Sequence, residues 1–172
     1  SNALVTGTNV TVAAWVKAGG STQARVFQAQ QSAGGTSYSL VVNSNNGTNA
    51  AGYVEVMTWN GSSHNRVPYD ASLDDGAWHH IAMTSSSSAQ KLYVDGVEVG
   101  SGSNTFVNPV SSDEAYIGSV NASSQFYTGQ IRDFKLFASA LTAPDVRKLY
   151  AGENPKKNLQ VELISNGTFD NF

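Results

Sequence analysis

Apolar and polar residues alternate in many short segments, each ended by residues that favour turns. This period of two is typical of β-strands that bury one face. It predicts strands at residues 10–16, 24–29, 38–42, 53–59, 78–84, 91–94, 97–99, 115–120 and 130–137. Short strands at this spacing predict an all-β domain, built as an antiparallel sandwich or barrel.

Two dipeptides in this pattern predict tight hairpin turns. Asn60-Gly61 follows strand 53–59, and Asp95-Gly96 lies between strands 91–94 and 97–99. Two-residue type I′ turns prefer these pairs because both central residues need a positive φ. The sequence therefore predicts a hairpin at each position.

A single helix is predicted near the C-terminal end. Thr142 is suited to the N-cap, Pro144 lies where a missing N–H is harmless, and Asp145 can return a capping-box bond. An apolar face at i, i+3 and i+4 follows, made of Val146, Leu149 and Tyr150. Gly152 is expected to end the helix, which is too short to stand alone and so must pack on the sandwich.

Composition excludes several classes of protein. Charged residues make up only 13% of the chain, and its 10 basic residues with a net charge of −3 offer no dense positive field. Nucleic-acid binding is therefore not expected. The chain has no cysteine, which excludes disulfides and thiolate metal sites. No apolar run approaches the roughly 18 residues of a membrane helix, so we expect no membrane insertion.

Four segments together resemble a known family. They are Thr-Val-Ala-Ala-Trp-Val-Lys at 11–17, Gly-Ala-Trp-His-His-Ile-Ala at 76–82 with Leu-Tyr-Val-Asp-Gly at 92–96, the strand at 127–137, and the helix at 141–150. In this order they resemble laminin-G-like domains of the concanavalin-A-like lectin and glucanase superfamily. The resemblance implies an antiparallel jelly-roll β-sandwich with one short helix near the C-terminus.

The same resemblance sets the expected domain limits. The first three residues resemble the remnant of an expression tag, so we expect the jelly roll at residues 4–152 and a linker at 153–158. The family usually begins with a strand for which only residues 4–8 are available here. Residues 159–172 are expected either to supply a strand that completes the sandwich or to begin a following domain.

One face of strand 53–59 is the predicted sugar-binding surface. Alternation places Val54, Val56 and Thr58 towards the core and the odd-numbered residues on the other face. That second face is polar and aromatic, as a shallow sugar groove would need. The candidate ligand-binding residues are Trp59, Tyr53, Glu55, His64, Arg66 and Tyr69.

The resemblance also implies a metal ligand. Asp133 matches the second residue of an acidic pair in the family's "G-x-I-D-D" strand, where Arg132 replaces the first. We expect Asp133 either to bind a structural Ca²⁺ or to be a turn-capping carboxylate. His79 and His80 point to opposite faces of a strand, so they cannot chelate one ion together and are interpreted as structural.

No catalytic motif is present. The related glucanases use paired carboxylates in an E-x-D-x-x-E pattern, which none of the five glutamates begins, and no nucleophile-elbow pattern occurs. We therefore predict a non-enzymatic module of a larger extracellular, cell-surface or virion protein, with bacterial or viral origin favoured. Its predicted role is recognition of a carbohydrate or glycoconjugate. The alternative is a structural or adhesive spacer that makes protein–protein contacts.

Overall fold

A computed structural model of the chain describes residues 9–30, 36–103, 114–120, 122, 124–153, 155, 159–164 and 167–169. These residues form twelve strands, a 3₁₀ turn at Leu73–Asp75 and the helix α1 at Ala143–Tyr150. The strands are β1 Val10–Ala18, β2 Ala24–Gln30, β3 Thr36–Asn45, β4 Thr48–Trp59, β5 His64–Asp70, β6 His79–Ser85, β7 Ala89–Val94, β8 Val97–Ser103, β9 Glu114–Ile117, β10 Gly129–Phe137, β11 Leu159–Ile164 and β12 Gly167–Phe169.

The strands form two antiparallel sheets. The larger has the order β11-β10-β1-β6-β7-β8, with β12 also paired to β10, and the smaller has the order β5-β4-β3-β2-β9. The chain crosses repeatedly from one sheet to the other. In chain order, β1 lies in the larger sheet, β2 to β5 in the smaller, β6 to β8 in the larger, β9 in the smaller and β10 in the larger. The prediction of an antiparallel jelly-roll sandwich with one short helix near the C-terminus is confirmed.

Apolar side chains from both sheets meet in a single main core. Phe27 from the five-stranded sheet lies 5.4 Å from Phe134 of the seven-stranded sheet, measured between ring centroids. A second, smaller core lies between the outer face of the seven-stranded sheet and α1. Its buried members are Ala13, Ala82, Tyr93, Phe137, Leu141, Val146 and Leu149. The helix therefore packs on the outer face of the seven-stranded sheet, and the outer face of the five-stranded sheet is a separate surface.

The two predicted hairpin turns have different outcomes. Asp95 and Gly96 have φ values of 48° and 79°, and Val94 pairs with Val97, which confirms a two-residue turn. The hairpin predicted at Asn60-Gly61 also forms, between β4 and β5, but its predicted two-residue turn is wrong, because the loop has four residues, from Asn60 to Ser63. The Asn60 side chain explains the longer loop, since its Oδ1 accepts a hydrogen bond of 2.8 Å from the Ser63 backbone N–H.

Residues 159–164 form β11 and pair antiparallel with β10 at the edge of the seven-stranded sheet. The register places Val161 opposite Leu136 and Glu162 opposite Lys135. The limits of the domain and of the linker stay predictions. In the part of the chain that the structure describes, no helix is both long and apolar enough to cross a membrane.

Candidate functional site: the polar face of the five-stranded sheet

The outer face of the five-stranded sheet is polar at its centre and aromatic at one end. Val54 and Val56 of β4 lie in the core, so Glu55, Met57 and Trp59 face the other way. Met57 pairs with Arg66, and Trp59 pairs with His64. We call this surface the polar face. It comprises Arg25, Gln28, Ser39, Tyr53, Glu55, Met57, Trp59, His64 and Arg66.

Glu55 is the central carboxylate of the polar face, and its side chain is fully buried. Its Oε1 lies 3.1 Å from Nη1 of Arg66, and its Oε2 accepts a hydrogen bond of 2.6 Å from the Ser44 hydroxyl. Gln23 Nε2 donates in turn to Ser44 Oγ over 2.9 Å. A buried charge is tolerated only when it is paired and hydrogen-bonded in this way. The network therefore holds Glu55 and Arg66 in fixed positions.

Arg25 is a second cation on the polar face and is almost fully buried, with 7% of its surface exposed. Its Nε donates to Gln28 Oε1 over 3.3 Å, and Gln28 Nε2 donates to Gln30 Oε1 over 3.0 Å. Burial, followed by the charge of Arg66, lowers the pKa of Arg25 to about 10, although Glu55 acts in the opposite direction. Arg25 therefore still carries its charge at neutral pH.

Trp59 and His64 form the aromatic end of the polar face. Their ring centroids are 4.7 Å apart with planes inclined at 51°. Trp59 is half-buried and His64 is exposed, so part of this pair is open to solvent. Partial burial, and then the charges of Arg66 and Arg25, lower the pKa of His64 against the opposing effect of Glu55. The imidazole is therefore neutral at pH 7 and can donate and accept hydrogen bonds.

The structure brings together five of the six predicted ligand-binding residues. Tyr53, Glu55, Trp59, His64 and Arg66 share the polar face, as their positions in β4 and β5 require. Tyr69 does not join them. It pairs with Val54, which points into the core, so Tyr69 lies on the opposite face of the edge strand β5, with 38% of its surface exposed.

Sequence reasoning missed the part of the polar face that comes from β2 and β3. Arg25 and Gln28 are three residues apart, which a regular strand would place on opposite faces. A register shift between Arg25 and Phe27 moves both onto the polar face. The one available signal was an arginine next to apolar residues in a strand, at Ala24-Arg25-Val26-Phe27, which needs a specific partner when it is buried.

Asp133 lies away from the polar face, at an irregular position in β10. Its φ is 51°, and the pairing with β1 shifts register here, so that Ile131 and Phe134 both point into the core. Aspartate tolerates this left-handed conformation better than most residues. Among the described residues no group of three or more His, Asp or Glu side chains could share a metal ion. Ca²⁺ takes about six to eight oxygen ligands, which include backbone carbonyls, so a calcium ion at Asp133 would need carbonyl oxygens besides this carboxylate. Calcium at Asp133 stays a prediction.

Arg132, the neighbour of Asp133, has a different environment on the seven-stranded sheet. Its guanidinium lies 5.1 Å from the ring centroid of Trp15 and 4.4 Å from that of Trp78. Trp15 also stacks on Tyr150 of α1 at 5.5 Å. Both tryptophans are half-buried beside this cation. The cluster ties β1, β10 and α1 together on the outer surface of the sheet.

Two antiparallel sheets, a short capped helix on one and a polar face with an aromatic end on the other, define a lectin-like jelly roll. The family model Laminin_G_3, described as the concanavalin A-like lectin/glucanases superfamily, matches residues 1–147. The chain therefore belongs to this superfamily. No curated protein matches the sequence.

Solved structures of the same fold include domains from three different kinds of protein. A carbohydrate binding protein from Bacteroides ovatus, described as putative, has a TM-score of 0.70 at 16% identity, over 92% of this chain and 46% of that one. A heptameric SAP-like pentraxin from Limulus polyphemus has a TM-score of 0.67 at 18% identity, over 92% and 76%. Domain 4 of AbnA, an extracellular GH43 arabinanase from Geobacillus stearothermophilus, has a TM-score of 0.64 at 22% identity, over 86% and 68%. The chain thus spans less than half of the Bacteroides protein.

Proposed function

We propose that this domain is a non-catalytic module that recognises a glycan on its polar face. The observation that carries the proposal is the placement of the Trp59–His64 ring pair next to the Glu55–Arg66 ion pair on one face of one sheet. A sugar ring presents an apolar C–H surface and a rim of hydroxyl groups. An aromatic ring beside fixed charged donors and acceptors is complementary to both.

The chemistry of Glu55 supports binding rather than catalysis. Glycosidases need one carboxylate free to act as acid and another as nucleophile or base. Both oxygens of Glu55 are engaged, one by Arg66 and the other by Ser44. Neither oxygen of Glu55 is therefore free to act as a catalytic acid, nucleophile or base.

Two of the similar structures support a glycan as partner. The Bacteroides protein is described as carbohydrate binding, and the arabinanase domain was solved in complex with arabinotriose. The arabinanase is extracellular, which supports an extracellular, cell-surface or virion location for the parent of this chain. Calcium is proposed only as a structural ion, in line with the family resemblance at Asp133.

A glycan array followed by titration calorimetry tests the proposal. Trp59→Ala should weaken binding by about 1–3 kcal/mol, or roughly fivefold to 150-fold, because a large aromatic contact is lost. Trp59→Phe should retain part of the affinity, since a ring remains. Tyr150→Ala is the control, because Tyr150 is also aromatic, is 42% exposed and lies on α1 against the seven-stranded sheet.

The outcomes separate the two functions considered. Unchanged affinity in Trp59→Ala would remove this residue from the site, and a large fall in melting temperature would assign it to packing. If the array shows no glycan, with or without EDTA, and protein partners bind instead, the domain is a structural or adhesive spacer.

A further inference from the structure

Two polar atoms at the centre of the polar face lack hydrogen-bond partners within the described part of the chain. They are Nη1 of Arg25 and Oγ of Ser39, and both are buried. Arg25 is 7% exposed and Ser39 is fully buried. A buried donor without an acceptor is costly, and a guanidinium more so because it is charged. Both atoms are nevertheless buried without a hydrogen-bond partner among the described residues.

The two atoms lie in the same part of the sheet. Ser39 is the cross-strand partner of Gln28, and Gln28 Oε1 accepts the hydrogen bond from Arg25 Nε. The Arg25 side chain therefore runs along β2 towards Ser39. Both groups can donate a hydrogen bond, and the guanidinium can only donate. What is missing beside them is an acceptor.

The carboxylate already present does not supply this acceptor. Glu55 directs one oxygen to Arg66 and the other to Ser44. Glu55 pairs with Arg66 and makes no hydrogen bond to Arg25 among the described contacts, and both arginines lower the pKa of His64 nearby. The protein as a whole has a net charge of −3, yet this part of its surface has an excess of positive charge.

We propose that the polar face binds a sugar that bears a carboxylate, and that this carboxylate accepts hydrogen bonds from Arg25 Nη1 and Ser39 Oγ. The inference rests on the proposed glycan-binding function and names the class of sugar. A carboxylate is an acceptor only, whereas a sugar hydroxyl would bring a donor of its own. It also matches the planar fork of a guanidinium.

On the polar face Arg25 is 7% exposed, the Arg66 side chain is 23% exposed and His64 is exposed, while Ser39, Glu55 and Met57, on the strands between β2 and β5, are at most 1% exposed. The acidic group would therefore enter deepest, and the sugar ring would lie towards Trp59 and His64.

The first test needs no substitution. Oligosaccharides ending in glucuronate, galacturonate or sialate are each titrated beside the matching methyl ester, at low ionic strength. At least one acid should bind about tenfold or more tightly than its ester, because hydrogen bonds to a charged group are lost on esterification. Added salt should reduce the difference in affinity between acid and ester, because it screens the charge of the acid.

Three variants then test whether Arg25 and Ser39 cause the preference for the acid. Arg25→Gln should remove the preference for the acid over the ester. Arg147→Gln makes the same change at an exposed position on α1 and should leave the preference intact. Ser39→Ala should reduce the preference although it leaves the net charge unchanged. This result would show that a hydrogen bond, and not only the local positive charge, recognises the carboxylate.

Each result decides between the two proposals. Equal binding of every acid and its ester, with neutral glycans still dependent on Trp59, overturns the carboxylate and leaves the glycan-binding function standing. Binding of no glycan at all overturns both. A sulfated oligosaccharide that binds as tightly as the best carboxylate also contradicts this identification, since it would show that charge alone is recognised.

Discussion

His79 and His80 are adjacent in β6, but their environments have opposite effects on their protonation. His79 Nδ1 lies 2.9 Å from Asp95 Oδ2, and its Nε2 lies 3.2 Å from Asp75 Oδ1. Partial burial opposes the charged form, but these two carboxylates outweigh it and raise the pKa of His79. The resulting stabilisation is present below the unfolded pKa of about 6.5 and is lost as the pH rises through the raised value.

His80 is buried on the outer surface of the seven-stranded sheet, with its ring 5.6 Å from that of Trp15. Burial, with a smaller contribution from Lys135, lowers the pKa of His80 to about 4, although Asp95 opposes the shift. The native state therefore resists a proton that the unfolded chain accepts near pH 6.5. Stability is present above that pH and is lost progressively as the pH falls from about 6.5 to about 4.

We predict that His80→Phe removes most of this acid sensitivity. Phenylalanine keeps an aromatic ring beside Trp15 and has no proton to bind. In the unsubstituted protein, protonation of His80 alone should lower the free energy of unfolding by about 1.4 kcal/mol per pH unit between about pH 6.5 and pH 4. Urea unfolding at pH 6.5, 5.5 and 4.5 measures the slope. His64→Phe is the control, because His64 is exposed and should change the slope less. An unchanged slope in His80→Phe would contradict the assignment.

The helix is the element that local sequence specified most completely. Thr142 Oγ1 donates to Asp145 Oδ2 over 2.7 Å and accepts from the Asp145 backbone N–H, and Asp145 Oδ2 also accepts from the Thr142 N–H. This capping box and the Pro near the helix start are the features that the sequence predicted. They could be predicted because every partner lies within three residues.

We predict that Thr142→Ala lowers the free energy of unfolding by about 1 kcal/mol, since it removes the N-cap acceptor from the first turn. Thr142→Ser keeps the hydroxyl and should cost much less. Because α1 packs on the seven-stranded sheet, glycan affinity at the polar face should be the same in both variants. Chemical denaturation and calorimetry measure the two effects. A change in glycan affinity would show that the two sheets do not act independently.

Strands β2 and β4 show where prediction from local pattern stops. β4 alternates without interruption between residues 53 and 59, so the face of each residue was predicted correctly. β2 has a register shift after Arg25, and this irregularity decides that Arg25 and Gln28 share a face. The shift is set by how β2 fits against β3 and the core. No pattern within β2 specifies it.

At the scale of the whole molecule, β11 covers the edge of the larger sheet. It pairs with β10 at four positions, from Phe134 with Ile164 to Phe137 with Leu159. Without it, the N–H and C=O groups on that side of β10 would face solvent. An uncovered sheet edge also favours pairing with other chains.

We predict that truncation after Gly152 lowers the free energy of unfolding by about 2 kcal/mol or more, because the edge hydrogen bonds of β10 lose their partners. The shortened chain should also self-associate as its concentration rises. Deletion of residues 170–172 alone is the control. Thermal melting and light scattering measure both effects, and glycan binding should persist because the polar face belongs to the other sheet. A truncated domain that melts at the same temperature would show that this segment is not part of the domain.

The sequence alone determined the features that depend on near neighbours. These are the period of two along each strand, the Asp95-Gly96 turn, the capped helix, and the face of β4 that carries Glu55 and Trp59. Only the tertiary structure decided which strands share a sheet. It brought Arg25 and Ser39 onto the same face as Glu55, and it placed Tyr69 on the opposite face of β5. The physical reason is that strand order and register are set by contacts between distant segments, and a one-residue shift moves a side chain to the other face.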